Sequence, residues 1–363
     1  MNRTQRPEIF VKYGDHPAEM VPALFDAAGV AAMIPPGAAI GIKPNLVVSK
    51  PSDSGATTDP GIVVAIIEYL WQNGFHDISI MESAWLGDST KQAFDICGYR
   101  DIEARYGVPL IDLKDTPRRR MRGGGMAIDI FAPVLEVDFL INVPVLKAHS
   151  QTKLTCALKN LKGVIPDDEK QRFHSLGLHR PIAALAGIVK ADLVAVDGIV
   201  GDLSHEEGGN PVRMNRIFVG RDPVLIDAYA ATLLGYSPSE IGYIGLAEKL
   251  GLGRSTLHRS DIAALNTPKD GPVDTRAHRL AERYADRIDA EDACSPCYGS
   301  LIHALHRLER AGKLPRDLRV SIGQGFKDKP LALGIGNCTN AGDCYVKGCP
   351  PTAQDIVRFL ERL

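Results

Sequence analysis

The stretch Ala38–Met81 decides the fold class: Ala-Ala-Ile-Gly-Ile-Lys at 38–43, Thr-Asp-Pro at 58–60 and Asp-Ile-Ser-Ile-Met at 77–81. The first and last pieces have the apolar pattern of strands. Thr or Asp followed by Pro is a typical helix start, and Gly74 is a typical residue at the end of that helix. A strand, a helix and a strand in this order predict two parallel strands joined by a crossover helix.

The same alternation continues on both sides of this stretch. Further strand-like runs are Ile9–Val11, Pro109–Asp112, Phe139–Asn142, Leu193–Val196 and Arg216–Val219. A helix capped by Asp222 follows over Pro223–Leu234. We therefore predict an α/β fold with a mostly parallel sheet flanked by helices, plus a small C-terminal α/β domain that carries cysteine ligands.

Chain length and local composition predict two domains. A chain of 363 residues is longer than one hydrophobic core usually serves. A charged helical or linker stretch at Arg276–Arg287 separates two regions of different character. We predict an α/β domain with a basic cleft at 1–267, a linker or helix at 268–292, and a cysteine-rich iron–sulfur domain at 293–363.

The bulk composition excludes several classes of protein. A hydrophobic content of 45% and a charged content of 24% are ordinary for a soluble globular protein. The formal net charge of −2 argues against a general attraction to nucleic acids or acidic membranes. No apolar signal core follows Met1, and no run approaches the roughly 18 apolar residues of a membrane helix. We expect a cytoplasmic protein that binds neither nucleic acid nor membranes.

The cysteines near the C-terminus are the clearest indication of the protein's chemistry. They form a close pair, Cys294 and Cys297, followed at a distance by Cys338, Cys344 and Cys349. Disulfides are rare in a reducing compartment, so clustered thiols favour metal or redox chemistry. Four thiolates suit an iron–sulfur cluster or zinc. We predict that Cys294, Cys297, Cys338 and Cys349 bind a 4Fe–4S cluster; zinc, or a ligand-free thiol cluster or disulfide, are the alternatives, and Cys344 is spare.

The surroundings of Cys349 fit this interpretation. Thr352 and Asp355 resemble a capping box, and the two prolines before them suit a first helical turn. This pattern predicts that Cys349 lies at a helix N-terminus, whose positive end favours a thiolate and an anionic cluster. The remaining cysteines, Cys97 and Cys156, are expected to be buried as small apolar residues.

Two pieces of the C-terminal sequence resemble a known cluster-binding segment. They are Leu-Gly-Ile-Gly-Asn-Cys at 333–338 and Lys-Gly-Cys-Pro-Pro-Thr-Ala at 347–353. Together they resemble the cluster-binding end of the small subunit of nickel–iron hydrogenases and of the related respiratory complex I subunit. The resemblance implies that a Gly-x-Cys strand end and a Gly-Cys-Pro-Pro turn each supply one ligand to a four-iron cluster.

Polar residues at the ends of predicted strands mark a candidate binding cleft. Lys43 and Asn45 directly follow a strand, where open α/β sheets place their ligand-binding loops. A lysine charge beside a two-sided amide suits a carboxylate or a phosphate, although a surface lysine before a turn has the same sequence. Glu82 and Ser83 end the next strand, so Glu82 either points into this cleft or caps a loop.

The stretch Lys147–Gly163 follows the strand Phe139–Asn142 and contains four lysines and one histidine but no acidic residue. A concentrated positive field at the carboxyl end of a parallel sheet predicts an anion site. We predict His149, Lys147 and Lys162 as catalytic residues, with His149 as the proton donor. The predicted substrate-binding residues are Lys43, Asn45, Glu82, Lys159 and Asn160. A solvated basic helix, on which Lys159 and Lys162 share a face, is the alternative.

Other polar stretches have weaker signals. Asp197 ends a strand, and a loop after it could form a lid or a hard-cation site, or be an exposed glycine-rich turn; its residues are Asp202, His205, Glu206, Glu207, Gly208 and Gly209. The run Arg118–Gly125 could hold phosphate, but a basic turn fits it better. The signatures of dinucleotide-binding folds, P-loop enzymes, zincins and serine hydrolases are missing from the sequence.

Seven short motifs occur in an order that resembles the domain-of-unknown-function 362 family over roughly residues 40–250. They are Lys43–Val47, Thr57–Pro60, Glu82–Ser83, Leu146–His149, Leu158–Gly163, Val196–Gly198 and Gly220–Pro223. The resemblance implies an association with iron–sulfur cysteines, which members often carry beside this domain, and it implies no particular reaction. This chain departs from members with a ferredoxin insert, because its cysteine spacing is hydrogenase-like.

These observations lead to one main hypothesis and two alternatives. The main hypothesis is an iron–sulfur redox protein in which the C-terminal domain transfers electrons to an anionic organic substrate or cofactor in the large domain. A redox partner such as a ferredoxin or flavodoxin would exchange electrons with it. The first alternative is a non-redox enzyme that acts on a carboxylate or phosphate compound and has a structural metal site. The second is a metal-tethered binding module without catalysis.

Overall fold

The structure is a computed structural model that describes residues 7–203, 206–208, 210–269, 280–342 and 344–363. Its strands, in chain order, are β1 (Ile9–Tyr13), β2 (Ile40–Pro44), β3 (Ile78–Glu82), β4 (Leu110–Asp112), β5 (Arg118–Gly123), β6 (Met126–Phe131), β7 (Phe139–Val143), β8 (Lys147–His149), β9 (Lys153–Thr155), β10 (Leu193–Asp202), β11 (Pro211–Gly220), β12 (Ile262–Ala264), β13 (Ile288–Ala290), β14 (Val320–Ile322), β15 (Gly334–Ile335) and β16 (Tyr345–Val346).

The helices pack around these strands. In chain order they are α1 (Pro17–Ala28), α2 (Pro60–Gln72), α3 (Thr90–Ile96), α4 (Tyr99–Tyr106), α5 (Ala157–Asn160), α6 (Asp167–Ser175), α7 (His179–Ala186), α8 (Pro223–Leu233), α9 (Gly242–Lys249), α10 (Leu280–Arg283), α11 (Ser295–Arg310) and α12 (Ala353–Leu360).

The large sheet has the strand order β12-β1-β11-β10-β7-β2-β3-β4. Five of its seven described pairings are parallel, and only the two pairings of β11 are antiparallel. Helices cover both faces, so the predicted α/β class with a mostly parallel sheet is confirmed. Side chains alternate between the faces, which is why Ile141 and Leu140 of β7 belong to two different hydrophobic clusters.

The middle of this sheet is where its connections change direction. From β2 the chain proceeds outward to β3 and β4 and then returns to β7 on the other side of β2. The helix α2 starts where the sequence predicts, because the Asp59 side chain accepts a hydrogen bond from the Gly61 N–H at 2.8 Å. In open α/β sheets, ligands bind at the carboxyl ends of strands beside such a switch point.

Two stretches of basic sequence fold as hairpins. The predicted basic turn at 118–125 belongs to the antiparallel pair β5 and β6. Its arginines are occupied: Arg118 pairs with Asp168 and Arg120 with Glu169, each at 2.9 Å. The stretch 147–163 is not the continuous helix of the alternative interpretation, since β8 and β9 form a hairpin before the short helix α5.

The C-terminal part forms a second, smaller sheet. Its strands β13, β14, β15 and β16 pair in parallel in that order. This sheet has its own hydrophobic cluster, which includes Leu305, Ile322 and Ile356 from a helix, a strand and the last helix. The strand β13 lies inside the range 268–292 for which the sequence predicts a linker or a helix, so the pairing of the small sheet starts before residue 293.

In the described ranges, no helix combines the length and the apolar character needed to span a lipid bilayer.

One buried carboxylate fixes the helix that carries part of the basic stretch. Asp227 in α8 is fully buried and accepts hydrogen bonds from the first N–H groups of α5, Ala157 N at 2.7 Å and Leu158 N at 3.1 Å. Burial raises the pKa of Asp227 to about 7. The carboxylate of a distant helix therefore does the work of an N-cap for α5.

We expect Asp227→Ala to lower the free energy of unfolding by about 1–3 kcal/mol, because two buried N–H groups lose their acceptor. The measurement is the urea midpoint by circular dichroism. Glu19→Ala, at an exposed position of α1, is the control and should leave the midpoint in place. Equal midpoints for the two variants would contradict this assignment.

Candidate functional site

A cavity of about 110 Å³ lies at the carboxyl edge of the large sheet. Every large-domain site residue that the sequence predicts lines it: Lys43, Asn45, Glu82, Lys147, His149, Lys159, Asn160 and Lys162. They come from the ends of β2 and β3 and from the segment after β7, which meet at this edge because the strands are parallel. The volume is below the roughly 300–1,000 Å³ of pockets for drug-sized ligands, so it suits a small molecule.

Sequence reasoning missed further residues of the same cavity. These are Trp85, Thr155, Lys170, His174 and Pro296. Lys170 and His174 are four residues apart in α6, so they share a face of that helix. Their spacing was visible in the sequence, but the acidic residues beside them gave α6 the pattern of an ordinary surface helix.

The floor of the cavity is a buried ion pair. Lys43 Nζ lies 2.8 Å from Glu82 Oε2, and both side chains are almost completely buried. Glu82 also accepts hydrogen bonds from Leu46 N at 3.1 Å and Ser83 N at 2.8 Å. Burial lowers the pKa of Lys43, while Glu82 opposes that shift. Glu82 thus points into the predicted cleft rather than capping an exposed loop.

Four other lysines surround this pair. Lys147 donates hydrogen bonds to the Ala56 carbonyl and, at 3.3 Å, to Asn45 Oδ1. Burial, with Lys159 nearby, lowers the pKa of Lys147 to about 7. Burial also lowers the pKa of Lys159 and of Lys170 to about 8 each, and that of Lys162 well below its usual range. The ammonium groups of Lys147, Lys159 and Lys170 therefore titrate close to neutral pH.

Two of these lysines have specific partners from α6 and β3. Lys162 Nζ is 3.2 Å from Nε2 of His174. Lys170 donates to Ser83 Oγ at 2.9 Å and to the Ala84 carbonyl at 2.7 Å. The ammonium groups of both lysines are therefore fixed in direction.

His149 lies in the cavity wall but is poorly suited to donate a proton. Its Nδ1 accepts hydrogen bonds from Gln151 N and Thr152 N, both at 3.1 Å, so the ring proton is on Nε2. Nε2 lies 3.7 Å from Glu206 Oε1. Burial, reinforced by the neighbouring lysines, holds the pKa of His149 well below its usual range. The ring is neutral at physiological pH and orients the loop.

The two predicted asparagines, Asn45 and Asn160, also form structural hydrogen bonds. Asn160 donates to Asn142 Oδ1 at 2.7 Å, which ties α5 to the end of β7. Asn45 accepts from Lys147 through its side chain, and its backbone N–H donates to Thr58 Oγ1 at 2.8 Å. Both asparagines therefore position the lysines of the cavity wall.

The acidic loop after β10 contributes to the cavity in part. Glu206 and Glu207 line it, and Glu206 accepts a hydrogen bond from Ser150 Oγ at 2.8 Å. Asp202 is buried and accepts from Asn210 N at 2.8 Å. His205 and Gly209 lie outside the described residues. Asp197 accepts from Asp59 N at 2.9 Å and holds the start of α2 against β10.

The predicted cysteine ligands follow the strands of the small sheet. Cys294 is the N-cap of α11 and Cys297 lies in its first turn, after β13. Cys338 follows β15, and Cys349 follows β16. The helix N-terminus that the sequence assigned to Cys349 therefore belongs to Cys294 and Cys297, because α12 begins only at Ala353, with Thr352 as its cap.

These four thiols are neighbours. Burial, followed by charge on Cys294, Cys349 and Cys338, raises the pKa of Cys297 to about 12. Gly336 passes close by with a positive φ of 89°, and a Cβ there would lie 3.8 Å from Cys297 Sγ. Cys344 is instead held in the sheet, where its carbonyl accepts from Gly334 N at 2.9 Å.

The arrangement allows a test of which metal group fits. All seven cysteines are free thiols, and Cys97 and Cys156 are buried as expected. Within the described ranges, no three His, Cys, Asp or Glu side chains are arranged to bind one metal ion. Zinc needs its sulfur ligands within about 2.3 Å of one centre. The choice between zinc and an iron–sulfur cluster therefore stays a prediction from the sequence.

The cysteine loop lies against the lysine cavity. Pro296, between Cys294 and Cys297, is part of the cavity lining. Gln151 Nε2, from the β8–β9 hairpin, donates to the Ala293 carbonyl. Charge on Cys294 also acts on Lys162, whose pKa it raises against the stronger effect of burial. The two predicted sites are therefore adjacent.

Comparisons with known proteins give one family match and two similar proteins. A family model described as "Domain of unknown function (DUF362)" matches residues 40–232. A thylakoid-associated protein of Synechocystis sp. is 26% identical over 243 residues, which are 62% of this chain and 71% of that protein. The lactate racemase apoprotein of Thermoanaerobacterium thermosaccharolyticum matches with a TM-score of 0.41 and 13% identity over 66% of this chain and 59% of that one. The resemblance to the domain-of-unknown-function 362 family is confirmed, and the matched range contains the cavity residues except Pro296. The resemblance of residues 333–353 to hydrogenase small subunits stays a prediction.

Gly163 provides a steric test of the cavity floor. A Cβ at this position would lie 2.0 Å from Glu82 Oε1 and 2.6 Å from Lys43 Nζ. We expect Gly163→Ala to displace the ion pair and to weaken the binding of a small carboxylate probe, propanoate, at least tenfold, measured by Trp85 fluorescence in a Trp71→Phe background. Gly245→Ala is the matched control, since a Cβ there meets nothing within 4 Å. Unchanged affinity in Gly163→Ala would show that the pair does not shape the binding site.

The lowered lysine pKa values predict the pH dependence of anion binding. Lys147 and Lys159, with pKa values of about 7 and about 8, are charged at pH 6 and neutral at pH 9. Propanoate stays anionic throughout, so its affinity should fall about tenfold or more as the pH rises across this window. The Trp85 titration measures it. The variant Lys147→Met/Lys159→Met should bind weakly with a nearly flat profile, and a flat profile in the parent protein would refute the prediction.

Proposed function

The chain belongs to the domain-of-unknown-function 362 family, and within it we propose that this protein is an iron–sulfur redox protein that binds a small organic anion. Cys294, Cys297, Cys338 and Cys349 would hold a four-iron cluster. The anion would occupy the lysine cavity and exchange electrons there.

The contact between the two sites is the observation that carries this proposal. Pro296 sits between two of the proposed ligands and also lines the cavity. Electron transfer needs a short distance between donor and acceptor, and a purely structural metal site has no need to adjoin a cavity that five lysines line. The contact is maintained by Gln151 and Ala293.

The donor chemistry supports the identity of the metal group. Four thiolates, of which two lie at the N-terminus of the long helix α11, suit an anionic cluster. The resemblance of residues 333–353 to hydrogenase small subunits agrees with this choice. When bound, the cluster would supply single electrons. Cys349 is exposed while Cys294 lies next to the cavity, so a ferredoxin or flavodoxin could reach one edge of the site from solvent.

The cavity residues divide the remaining tasks. Lys162, held by His174, and Lys43, held by Glu82, supply hydrogen-bond donors of fixed direction for the anion. Reduction of an organic anion also needs a proton. We assign its delivery to Lys147, whose pKa of about 7 is matched to neutral pH, in place of the neutral His149. Free thiols agree with a reducing, cytoplasmic location.

A second candidate rests on a different observation. Apart from Pro296, the cavity lining comes entirely from residues 43–207, within the family range and outside the cysteine segment. A non-redox enzyme acting on a carboxylate or phosphate compound, with the metal site as a structural clamp, would have the same cavity. The two candidates differ in whether the metal group changes oxidation state.

The test is the metal content of anaerobically purified protein, with absorption spectra before and after dithionite. We expect about four irons and four sulfides per chain and a brown band that bleaches on reduction. Cys297→Ser and Cys338→Ser should lose most of the iron. Cys344→Ser is the matched control in the same segment and should keep it.

Two results would overturn the redox proposal. One zinc per chain without colour would favour the structural clamp or the binding module. Iron that is lost equally in Cys344→Ser and in Cys297→Ser would show that the proposed ligand set is wrong.

A further inference from the structure

One lysine of the cavity differs from the others. Lys43, Lys147, Lys162 and Lys170 each have a hydrogen-bonding partner described above. Lys159 has no hydrogen bond or ion pair to any residue that the structure describes, although it lines the same cavity. Its side chain is only partly buried, so the amine is open to the cavity. A free amine in an enclosed, cationic cavity is a candidate nucleophile.

The surroundings of Lys159 favour the reactive form of the amine. Burial lowers its pKa to about 8, against a smaller opposing effect of Glu206. Lysines act as nucleophiles when desolvation or adjacent cations keep part of the population neutral. Lys159 also lies in α5, whose start is fixed by Asp227, so its backbone is held in place.

A second side chain of the cavity lacks a partner. Thr155 is 3% exposed, and its Oγ1 has no hydrogen bond to any described residue. It also lines the cavity. Buried hydroxyl groups are nearly always hydrogen-bonded in proteins, so an unsatisfied one beside a cavity indicates a polar ligand that would complete it. This observation is independent of the lysine charges.

We propose that Lys159 forms a Schiff base with the carbonyl carbon of a small 2-oxo carboxylate. The neutral amine attacks the carbonyl carbon, a C–N bond forms, and the carbonyl oxygen leaves as water with the two amine hydrogens. Adding one proton to the imine nitrogen gives the iminium ion. No oxidant or reductant is consumed in this step.

The other cavity groups match this chemistry. In its charged form, Lys147 can pair with the carboxylate and protonate the departing hydroxyl group. Lys162 lines the same cavity and can serve as a hydrogen-bond donor. The iminium ion is a cation, and Glu206 is close enough to favour positive charge on Lys159. The inference rests on the anion-binding cavity of the proposed function and names its substrate class; it does not depend on the metal group.

The experiment traps the imine. The whole protein is incubated with pyruvate, the smallest 2-oxo acid with a ketone, reduced with cyanoborohydride, and analysed by intact mass and peptide mapping. We expect one adduct per chain, located on Lys159 and suppressed by excess propanoate, which has the carboxylate but no ketone. Lys159→Arg should lose the adduct.

Lys153→Arg is the control, since Lys153 lies in the neighbouring hairpin, outside the cavity lining, and pairs with Glu240 and Glu282. It should be labelled like the parent protein. The peptide map of the parent protein decides the site even if Lys159→Arg folds poorly.

An absent adduct, or one that Lys159→Arg retains, would overturn the inference. Trp85 fluorescence separates this failure from that of the proposed function. If pyruvate quenches Trp85 fluorescence but forms no adduct, the anion site is supported and Lys159 is not the nucleophile. Pyruvate that does neither would count against both, while iron content on the same sample reports the metal site separately.

Discussion

The ion pair between Lys43 and Glu82 is the constraint on which the cavity depends. A buried carboxylate or ammonium group is tolerated only when its partner and its hydrogen bonds are in place, and removing one partner typically costs about 3–5 kcal/mol. Glu82 satisfies its oxygens with Lys43 and with the backbone of 46 and 83, which fixes the ends of β2 and β3. Ser83 in turn donates to the Gly163 carbonyl at 2.8 Å, so the loop after α5 is fixed to the same point.

Above the Lys43–Glu82 pair, the charges of the remaining cavity lysines repel one another. Lys147 and Lys170 are buried and Lys159 and Lys162 are partly exposed, and desolvation lowers the pKa of each. Glu206 opposes this shift in Lys147, Lys159 and Lys162 without outweighing it. An anionic ligand would relieve both the repulsion and the desolvation. Perturbed titrating groups gathered in one cleft are typical of functional sites.

The sequence predicted the parts of this arrangement that depend on local pattern. The strand β2, the helix α2 and the strand β3 follow from apolar runs and from the cap at Asp59, and parallel strands bring their carboxyl ends to one edge. Lys43 and Lys147 could therefore be placed together without a structure. Lys170 and His174 could not, because α6 reads as a surface helix and only tertiary packing turns one of its faces inward.

Parallel strand pairing also explains why the positions of the cysteines were predicted only in part. Their grouping follows from parallel pairing in the small sheet, where Cys297, Cys338 and Cys349 all come after strand ends. The sequence analysis assigned the helix N-terminus to Cys349, whereas it belongs to Cys294 and Cys297. Prolines and a capping pair indicate where a helix starts, but not how far before that start a cysteine lies. No local sequence pattern predicts that Pro296 lines the cavity. The carboxyl edges of the large sheet and the small sheet face each other here. This arrangement places residues 294–297 against the lysine cavity.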